Sequence, residues 1–208
     1  MSEYPKAAFA VRLASAVKVR GFMPTEETRY YLQGVRVEAN LKGGAICVAT
    51  DGYRLGVAND KEGMVNESVI VRLPKIIKPE RNYLGEWLVC ILTGEQKGYI
   101  AIVQGGRTND QEDTAEYAIE RVADARLTIG QAVIDYSNYP DWRRFVPAPK
   151  EDAPVRSFNR KYLQSFGDHI TIIGDDPVSP HLIQTGDGDF MGVLMPMRGE
   201  RKSAPDWL

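Results

Sequence analysis

Residues 28–58, TRYYLQGVRVEANLKGGAICVATDGYRLGVA, determine the fold that this sequence predicts. Apolar and polar residues alternate from Val35 to Ala39, a period of two that is typical of a half-buried strand. The apolar run from Ala45 to Ala49 predicts a strand that is buried on both faces. Asp51-Gly52 then favours a tight hairpin turn, and the alternation resumes from Tyr53 to Val57. The segment therefore predicts an antiparallel meander of three strands.

The composition predicts a folded, water-soluble chain of one large domain or two small ones. It has 208 residues, of which 43% are hydrophobic and 26% are charged. The net charge is −2, so any contact with nucleic acid has to come from local basic patches. No apolar run approaches the length of a membrane span, and MSEYPK lacks the hydrophobic core of a signal peptide, so we expect a cytoplasmic protein. Cys47 and Cys90 lie in apolar runs and are expected to be buried free thiols.

Outside the meander, the patterns predict an α+β fold with antiparallel sheets. A helix is expected between Ser2 and Gly21, with a buried stripe formed by Phe9, Leu13, Ala16 and Val17. A short or distorted helix is expected from Pro74 to Lys78, and another helix is expected from Phe158 to Gly167. Residues 148–154, APKEDAP, are the best candidate for a linker. The remaining predicted strands are 68–72, 87–92, 99–104, 115–121, 125–136, 170–173, 182–185 and 190–195.

Three motifs occur in an order that resembles one known family. They are RYYLQG…VATDGYRL between Arg29 and Leu55, YPDWRRFVP at 139–147 and VLMPMR at 193–198. In this order they resemble the middle domain, the crossover to the last domain and the C-terminal signature of the bacterial DNA polymerase III β sliding clamp. The resemblance implies the DNA-clamp fold, in which units of one helix and several antiparallel strands repeat. Such units are expected to start near Lys6, Pro74 and Phe158.

The resemblance also implies a domain plan. Residues 1–147 would form a complete clamp-like domain, 148–154 a linker, and 155–208 a partial clamp-like domain with a C-terminal tail. The family's first domain and the first half of its last domain have no counterpart here. Because those parts supply the family's ring-closing contacts, a ring would have to form by oligomerisation of this chain.

A groove for short peptides is implied at the boundary of the two domains, where the family binds segments of polymerases, loaders and repair proteins. Methionines and branched aliphatic residues suit an apolar wall, and arginines suit a polar rim. Tyr53 departs from the family, which often has histidine there. The tail GERKSAPDWL after Arg198 is favoured to be a disordered end, and its occupation of the groove is the alternative hypothesis. The matching residues are Thr50, Gly52, Tyr53, Arg54, Leu55, Pro140, Arg144, Phe145, Val193, Leu194, Met195, Pro196, Met197 and Arg198.

Basic residues recur on the predicted helices. Lysine and arginine are ordinary on solvated helix faces, but the clamp resemblance places these helices toward DNA. Phosphate binding without sequence readout requires only such side chains on a shared surface. The expected DNA-facing residues are Arg12, Lys18, Arg20, Lys75, Lys78, Arg81, Arg156, Arg160 and Lys161.

The sequence contains no pattern that indicates catalysis, a cofactor or a metal site. His169 and His181 lack metal-ligand spacing and are expected to be strand-flanking or surface residues. Asp187-Gly188-Asp189 lacks the later acidic ligands of a calcium loop, so a turn is favoured. We therefore expect a protein that is not an enzyme.

Two functions follow from these observations. The leading one is a sliding-clamp-like DNA polymerase processivity factor, which encircles duplex DNA as a homo-oligomer and tethers partners through the groove. Three or four copies are plausible, and a clamp loader is a possible further partner. The alternative is an adaptor or competitor that binds clamp-seeking peptides without encircling DNA.

Overall fold

The computed structural model forms two compact units, which we call unit 1 (Met1–Phe145) and unit 2 (Val146–Asp206). The division lies two residues before the boundary expected from the sequence, and the expected linker 148–154 lies outside the described residues. The structure describes residues 5–24, 32–52, 55–78, 85–95, 97–106, 113–130, 133–134, 139–146, 156–164, 168–174, 176–185 and 191–198.

Unit 1 contains ten strands and two α-helices among its described residues. Its strands are β1 Lys6–Arg12, β2 Val35–Ala39, β3 Ala45–Thr50, β4 Leu55–Asp60, β5 Met64–Val65, β6 Val69–Val71, β7 Glu86–Gly94, β8 Lys97–Gln104, β9 Leu127–Gly130 and β10 Val133–Ile134. Its helices are α1 Leu13–Arg20 and α2 Ala115–Glu120, with short 3-10 turns at Val122–Asp124 and Trp142–Phe145.

These strands form two five-stranded sheets with antiparallel pairing throughout. One sheet has the order β5-β1-β7-β8-β9, and the other has the order β10-β6-β2-β3-β4. The predicted meander is confirmed as β2-β3-β4, in which Val37 pairs with Cys47 and Cys47 pairs with Ala58. The predicted strands 87–92 and 99–104 are also confirmed, as parts of β7 and β8.

The main core lies between the two sheets and α1. Phe9 of β1, Leu88 of β7, Val37 of β2 and Leu13 of α1 are all fully buried in it. Cys47 and Cys90 are buried free thiols in the same core, as expected. Burial raises the pKa of both thiols, that of Cys90 to about 12, so they behave as small apolar side chains.

The predicted N-terminal helix is only partly correct, because residues 6–12 form strand β1 and the helix begins at Leu13. Strand β1 lies between β5 and β7, with Phe9 opposite Val65 and Cys90. Both faces of β1 are buried, so its apolar residues show no alternation that distinguishes a strand from a helix. Pairing with two neighbouring strands decides the outcome.

The strand predicted at 115–121 is wrong, since these residues form α2. Thr114 caps the helix, and its side-chain oxygen accepts a hydrogen bond from the backbone N–H of Tyr117 at 3.2 Å. Ala115 and Ala118 then pack against Trp87 and Val89 on the outer face of the first sheet. Two alanines one turn apart are a weak apolar signal in sequence, although they let a helix approach a sheet closely.

The helix predicted at 74–78 is also wrong. These residues form a single turn, in which the N–H of Ile77 donates to the carbonyl of Pro74 at 3.1 Å. Ile77 is buried in the main core, whereas Lys75, Ile76 and Lys78 are exposed. The turn therefore presents lysines to solvent while it is anchored by one apolar side chain.

Unit 2 contains a three-stranded antiparallel sheet and one short helix. Its helix is α3 Arg160–Leu163, and its strands are β11 Ile170–Ile173, β12 His181–Thr185 and β13 Met191–Leu194. The sheet order is β11-β12-β13. Helix α3 has four residues, fewer than the pattern after Phe158 predicted, and its cap is Asn159, whose side chain accepts from the N–H of Lys161 at 2.9 Å.

Candidate functional site

The hairpin between β3 and β4 holds the first group of predicted groove residues. Thr50 and Leu55 form the last cross-strand pair before the turn. The Thr50 hydroxyl accepts a hydrogen bond from the N–H of Gly52 at 3.0 Å. Gly52 has a φ of 87°, which a glycine adopts without strain. Tyr53 and Arg54, at the tip, lie outside the described residues.

The crossover segment at 139–145 packs against the same sheet. The Tyr139 hydroxyl donates to the carbonyl of Val48 at 3.3 Å, and the buried indole of Trp142 donates to Glu38 at 3.1 Å. Val48 belongs to β3 and Glu38 to β2, so the crossover lies on the meander that carries the hairpin. Neither Glu38 nor Trp142 is among the site residues that the sequence motifs predict.

Glu38 is the electrostatic centre of this packing. Its carboxylate accepts from Arg36 at 2.7 Å and from Arg143 at 2.5 Å, and the Arg143 guanidinium stacks 4.3 Å from the Trp142 ring. Burial alone would raise the pKa of Glu38, but hydrogen bonds from Arg36, Arg143 and Trp142 outweigh it and lower the pKa below its ordinary value. Arg36 and Glu38 are two residues apart in a strand, and this spacing is the sequence signal for their pairing.

The predicted groove residues of the crossover differ in exposure. Pro140 is half-buried, whereas Arg144 is exposed and forms an ion pair with Asp141 at 2.9 Å. Phe145 ends the 3-10 turn, and its side chain is outside the described atoms. Arg144 is therefore positioned on the surface of unit 1, where it is accessible to a partner.

The remaining groove residues form an exposed apolar row on unit 2. Val193, Met195 and Met197 are 60%, 56% and 52% exposed, and the intervening Leu194 is buried. Val193 lies in β13, and Met195 and Met197 follow the end of this strand at alternate positions, so we infer from the spacing that the three exposed side chains form a row. The N–H of Met197 donates to the carbonyl of Ser157 at 2.7 Å, which holds the end of the row in place. Pro196 is half-buried and Arg198 is exposed.

The neighbouring strands of unit 2 extend this row across the sheet. Val193 lies opposite Leu182, which in turn lies opposite Ile173, and directly opposed residues share a face. Ile173 is exposed and Leu182 is half-buried. We call Ile173, Leu182, Val193, Met195 and Met197 the apolar strip. The groove predicted from the sequence combines this strip with residues of unit 1, and that combination stays a prediction.

Four of the predicted DNA-facing residues are brought together in unit 1. They line a cavity of about 860 Å³ between the C-terminal part of α1 and the turn at 74–78. We call this cavity the cationic pocket. Its lining consists of Val17, Lys18, Arg20, Gly21, Met23, Pro24, Lys75 and Lys78.

Arg20 differs from the lysines of the cationic pocket. Its Nη1 donates to the carbonyl oxygens of Pro74 at 2.9 Å and Ile77 at 2.5 Å. Burial lowers the pKa of Arg20. Lys18, Lys75 and Lys78 are exposed, and none forms an ion pair with a residue that the structure describes.

Arg12 lies apart from the pocket and is engaged inside unit 1. Its Nη1 contacts Asp113 at 2.6 Å, its Nε donates to Glu62 at 2.7 Å, and its guanidinium lies 4.1 Å from the centre of the Trp87 ring. Asp113 also accepts from the Trp87 indole at 2.7 Å. This network joins the end of β1 to the residue that precedes the cap of α2, which is a structural task for Arg12.

The other predicted DNA-facing residues lie on unit 2 or outside the described chain. Arg160 and Lys161 are exposed in the first turn of α3, and Arg156 is exposed in the segment before it. Arg81 is outside the described residues. The structure thus forms one basic cluster in each unit.

The described residues contain no group of three or more His, Cys, Asp or Glu side chains that could hold a metal ion. His181 is the first residue of β12 and is buried, with its ring 5.3 Å from Phe158, so it is strand-flanking but not a surface residue. His169 is exposed just before β11. Asp187-Gly188-Asp189 lies outside the described residues.

Among the helices that the structure describes, none is long and apolar enough to cross a membrane.

Comparison with protein families gives a match over most of unit 1. Residues 11–105 match the family described as the central domain of the DNA polymerase III β subunit. The matched range covers the three-stranded meander and strands β7 and β8. A search of curated proteins found no match.

Solved structures are similar over nearly the whole chain. The DNA polymerase sliding clamp from Bacillus subtilis is 15% identical, with a TM-score of 0.54 over 94% of this chain and 50% of that one. Its similarity supports the fold, and the present chain spans about half of its length. A β sliding clamp from C. crescentus is 19% identical, with a TM-score of 0.46 over 96% of this chain and 68% of that one. The DnaN sliding clamp from Pseudomonas aeruginosa is 18% identical, with a TM-score of 0.42 over 95% and 68%.

Proposed function

We propose that this chain is a clamp-like processivity factor, because residues 11–105 match the central domain of the DNA polymerase III β subunit and its fold is similar to that of a sliding clamp. In this proposal it surrounds duplex DNA as a homo-oligomer and tethers a DNA polymerase or repair protein. The observation that carries the proposal is the match to the central domain together with the clamp fold over 94% of the chain. The proposed protein has no catalytic step of its own.

DNA contact in this proposal is electrostatic and independent of sequence. Exposed lysines and arginines neutralise phosphates without reading base edges, which leaves a protein free to slide. Two basic clusters support this role, Lys18, Lys75 and Lys78 on unit 1, and Arg160 and Lys161 on unit 2. With a net charge of −2, the attraction is confined to these surfaces.

Partner binding in this proposal uses the apolar strip and the hairpin with its crossover. Exposed methionines adapt to varied apolar anchors, and Val193, Met195 and Met197 offer such a surface on unit 2. Leu55 and the exposed Arg144 contribute apolar and cationic contacts from unit 1. A short peptide with a leucine or phenylalanine anchor and an acidic group fits this chemistry.

Ring closure requires several copies of the chain. A single copy corresponds to half the length of the Bacillus subtilis clamp, and head-to-tail association of identical subunits generates a closed ring when the rotation closes. We expect a defined trimer or tetramer. Light scattering of the purified full chain at several concentrations, with and without duplex DNA, tests this expectation.

An adaptor function is the second candidate, and the exposed apolar strip favours it because peptide binding needs no ring. A monomer at all concentrations, unaffected by DNA, would reject encirclement by self-assembly and leave the adaptor as the working function. A defined oligomer that remains on circular DNA and is released after the circle is cut would support the clamp function.

A further inference from the structure

We propose that the cationic pocket holds one stretch of DNA backbone phosphates through Lys18, Lys75 and Lys78, and that Arg20 positions two of these lysines without contacting DNA. This inference rests on the proposed function and adds a division of roles to it. The sequence patterns place all four residues in one DNA-facing set, whereas the structure separates them by their hydrogen bonds.

Arg20 donates to two backbone carbonyl groups of the turn at 74–78. Its Nη1 donates to the carbonyls of both Pro74 and Ile77, at 2.9 and 2.5 Å. These two residues flank Lys75 and Ile76, and Ile77 immediately precedes Lys78. The guanidinium thus ties the end of α1 to the turn that carries two lysines. Both N–H groups of Nη1 are thereby occupied, which leaves Arg20 fewer of its five donors for a phosphate than a free guanidinium has.

Two arginines donate to the backbone of this turn: Arg20 at 2.9 and 2.5 Å, and Arg126, whose Nη2 lies 3.5 Å from the carbonyl oxygen of Lys78. The Arg20 contacts are the shorter ones, so we expect the turn to depend mainly on them. Residues 74–78 form one turn with a single internal hydrogen bond, from Ile77 to Pro74 at 3.1 Å, and only Ile77 is buried. Lys75, Ile76 and Lys78 all point into solvent. Without Arg20, the two lysines would be attached to a more mobile segment and would lose order on the DNA side.

The three lysines of the cationic pocket are more exposed than Arg20. Lys18, Lys75 and Lys78 are exposed, line the same cavity and have no ion pair among the described residues. The cavity between them contains the apolar side chains Val17 and Met23, which supply no competing carboxylate. A phosphate is the anionic group of duplex DNA that such a surface takes.

A double-mutant comparison of DNA binding tests the division of roles. We expect Lys18→Gln, Lys75→Gln and Lys78→Gln each to reduce the salt-dependence slope of duplex binding by about 0.9, as the loss of one phosphate contact requires. We expect Arg20→Gln to weaken binding of a duplex oligonucleotide in the wild-type background, up to about tenfold at 0.1 M salt. In the Lys75→Gln/Lys78→Gln background, Arg20→Gln should change the affinity less than about twofold, because it acts through those lysines.

A direct phosphate contact by Arg20 would give a different result in this comparison. If Arg20→Gln reduces the slope by a further 0.9 or so in the double-lysine background, Arg20 is itself a phosphate contact and the positioning role is wrong. Arg121→Gln serves as the matched control. Arg121 is an exposed arginine at the end of α2 whose ion pair with Asp124, at 3.0 Å, lies on the surface, so its removal should leave the slope unchanged.

Limited trypsin digestion reports on the turn without DNA. Trypsin cleaves after Lys75, and also after Lys42, which is exposed in the turn between β2 and β3. We expect Arg20→Gln to increase cleavage at Lys75 several-fold relative to cleavage at Lys42, and Arg121→Gln to leave this ratio unchanged. An unchanged ratio in Arg20→Gln would overturn the positioning role.

Absence of DNA binding by the wild-type chain would overturn the phosphate site and the proposed clamp function, whereas the digestion result would still decide the role of Arg20.

Discussion

At the scale of single residues, Glu38 links the crossover to the sheet. It is almost fully buried, and it accepts hydrogen bonds from Arg36, Trp142 and Arg143. Both arginines are partly solvated and keep their charges in water, whereas the buried carboxylate of Glu38 depends on these neighbouring cations to remain ionised. A buried carboxylate with three donors contributes more to local structure than a solvent-exposed ion pair does.

We expect Glu38→Ala to lower the free energy of unfolding of unit 1 by about 2 kcal/mol, because the buried indole N–H of Trp142 and the two guanidinium groups lose their acceptor. Denaturant titration followed by tryptophan fluorescence measures this change. Glu120→Ala, at an exposed position of α2, should cost less than about 0.5 kcal/mol. Equal losses in both variants would contradict the assigned role of Glu38.

The pH dependence of stability follows from the lowered pKa of Glu38. A carboxylate whose pKa is lower in the folded state stabilises the fold above its unfolded pKa and loses that effect as the pH falls through its folded pKa. We therefore expect the difference in unfolding free energy between wild type and Glu38→Gln to be full at pH 7 and to shrink as the pH falls below 4.5. Urea titrations of both proteins between pH 7 and pH 3 measure it, and a constant difference would reject the explanation.

At the scale of elements, the contact between α1 and β4 is set by a glycine. A Cβ added to Gly56 in β4 would lie 2.4 Å from the ring of Phe22, which follows α1. The absence of a side chain at Gly56 lets Phe22 pack flat on the edge strand of the meander. This packing holds the end of α1, where Lys18 and Arg20 lie, against the sheet.

We expect Gly56→Ala to destabilise unit 1 by about 2 kcal/mol, since the Phe22 ring has to move. Gly130→Ala is the matched control, because Gly130 also lies in an edge strand and an added Cβ there meets no atom within 4 Å. Thermal unfolding by circular dichroism should show a lower Tm for Gly56→Ala and an unchanged or slightly higher Tm for Gly130→Ala. A similar Tm for both variants would show that Phe22 does not require the glycine.

At the scale of the whole molecule, both units carry a basic cluster, and the exposed apolar strip lies on unit 2. Unit 1 holds the cationic pocket and the hairpin with its crossover, and unit 2 holds the apolar strip and a second basic cluster. The proposed function uses all of these surfaces, so a variant in one surface should affect one kind of partner. We therefore expect the proposed peptide binding and DNA binding to be separable by mutation.

We expect Met195→Glu to reduce binding of a leucine- or phenylalanine-anchored acidic peptide at least tenfold, because it places a charge within the apolar strip. Met195 is exposed, so folding should be preserved. Val178→Glu is the control, since Val178 is an equally exposed apolar residue of unit 2 in the turn before β12. Fluorescence anisotropy of the labelled peptide measures both, with duplex binding as the second readout. Unchanged peptide binding by Met195→Glu would remove the strip from the proposed function.

The sequence by itself determined the elements whose pattern is local. Alternation in Val35–Ala39 and the Asp51-Gly52 turn predicted the meander, and the three motifs predicted the clamp fold. Local patterns succeed there because a strand with one buried face shows a period of two, and a tight turn requires particular residues. The buried thiols were predictable for the same reason, since each lies within an apolar run.

Only the tertiary structure decided the elements and roles that depend on distant partners. Strand β1 is buried on both faces, so its sequence lacks the alternation that would predict its pairing with β5 and β7. Helix α2 likewise depends on packing against Trp87, a residue distant in sequence. The roles of the arginines also depend on distant partners, because their sequence context does not distinguish them. Arg12 is engaged by Asp113 and Glu62, and Arg20 by the carbonyls of Pro74 and Ile77, while nearby Lys18 remains exposed. A side chain's charge is a property of the sequence, but whether its donors are already occupied depends on groups that the fold brings to it.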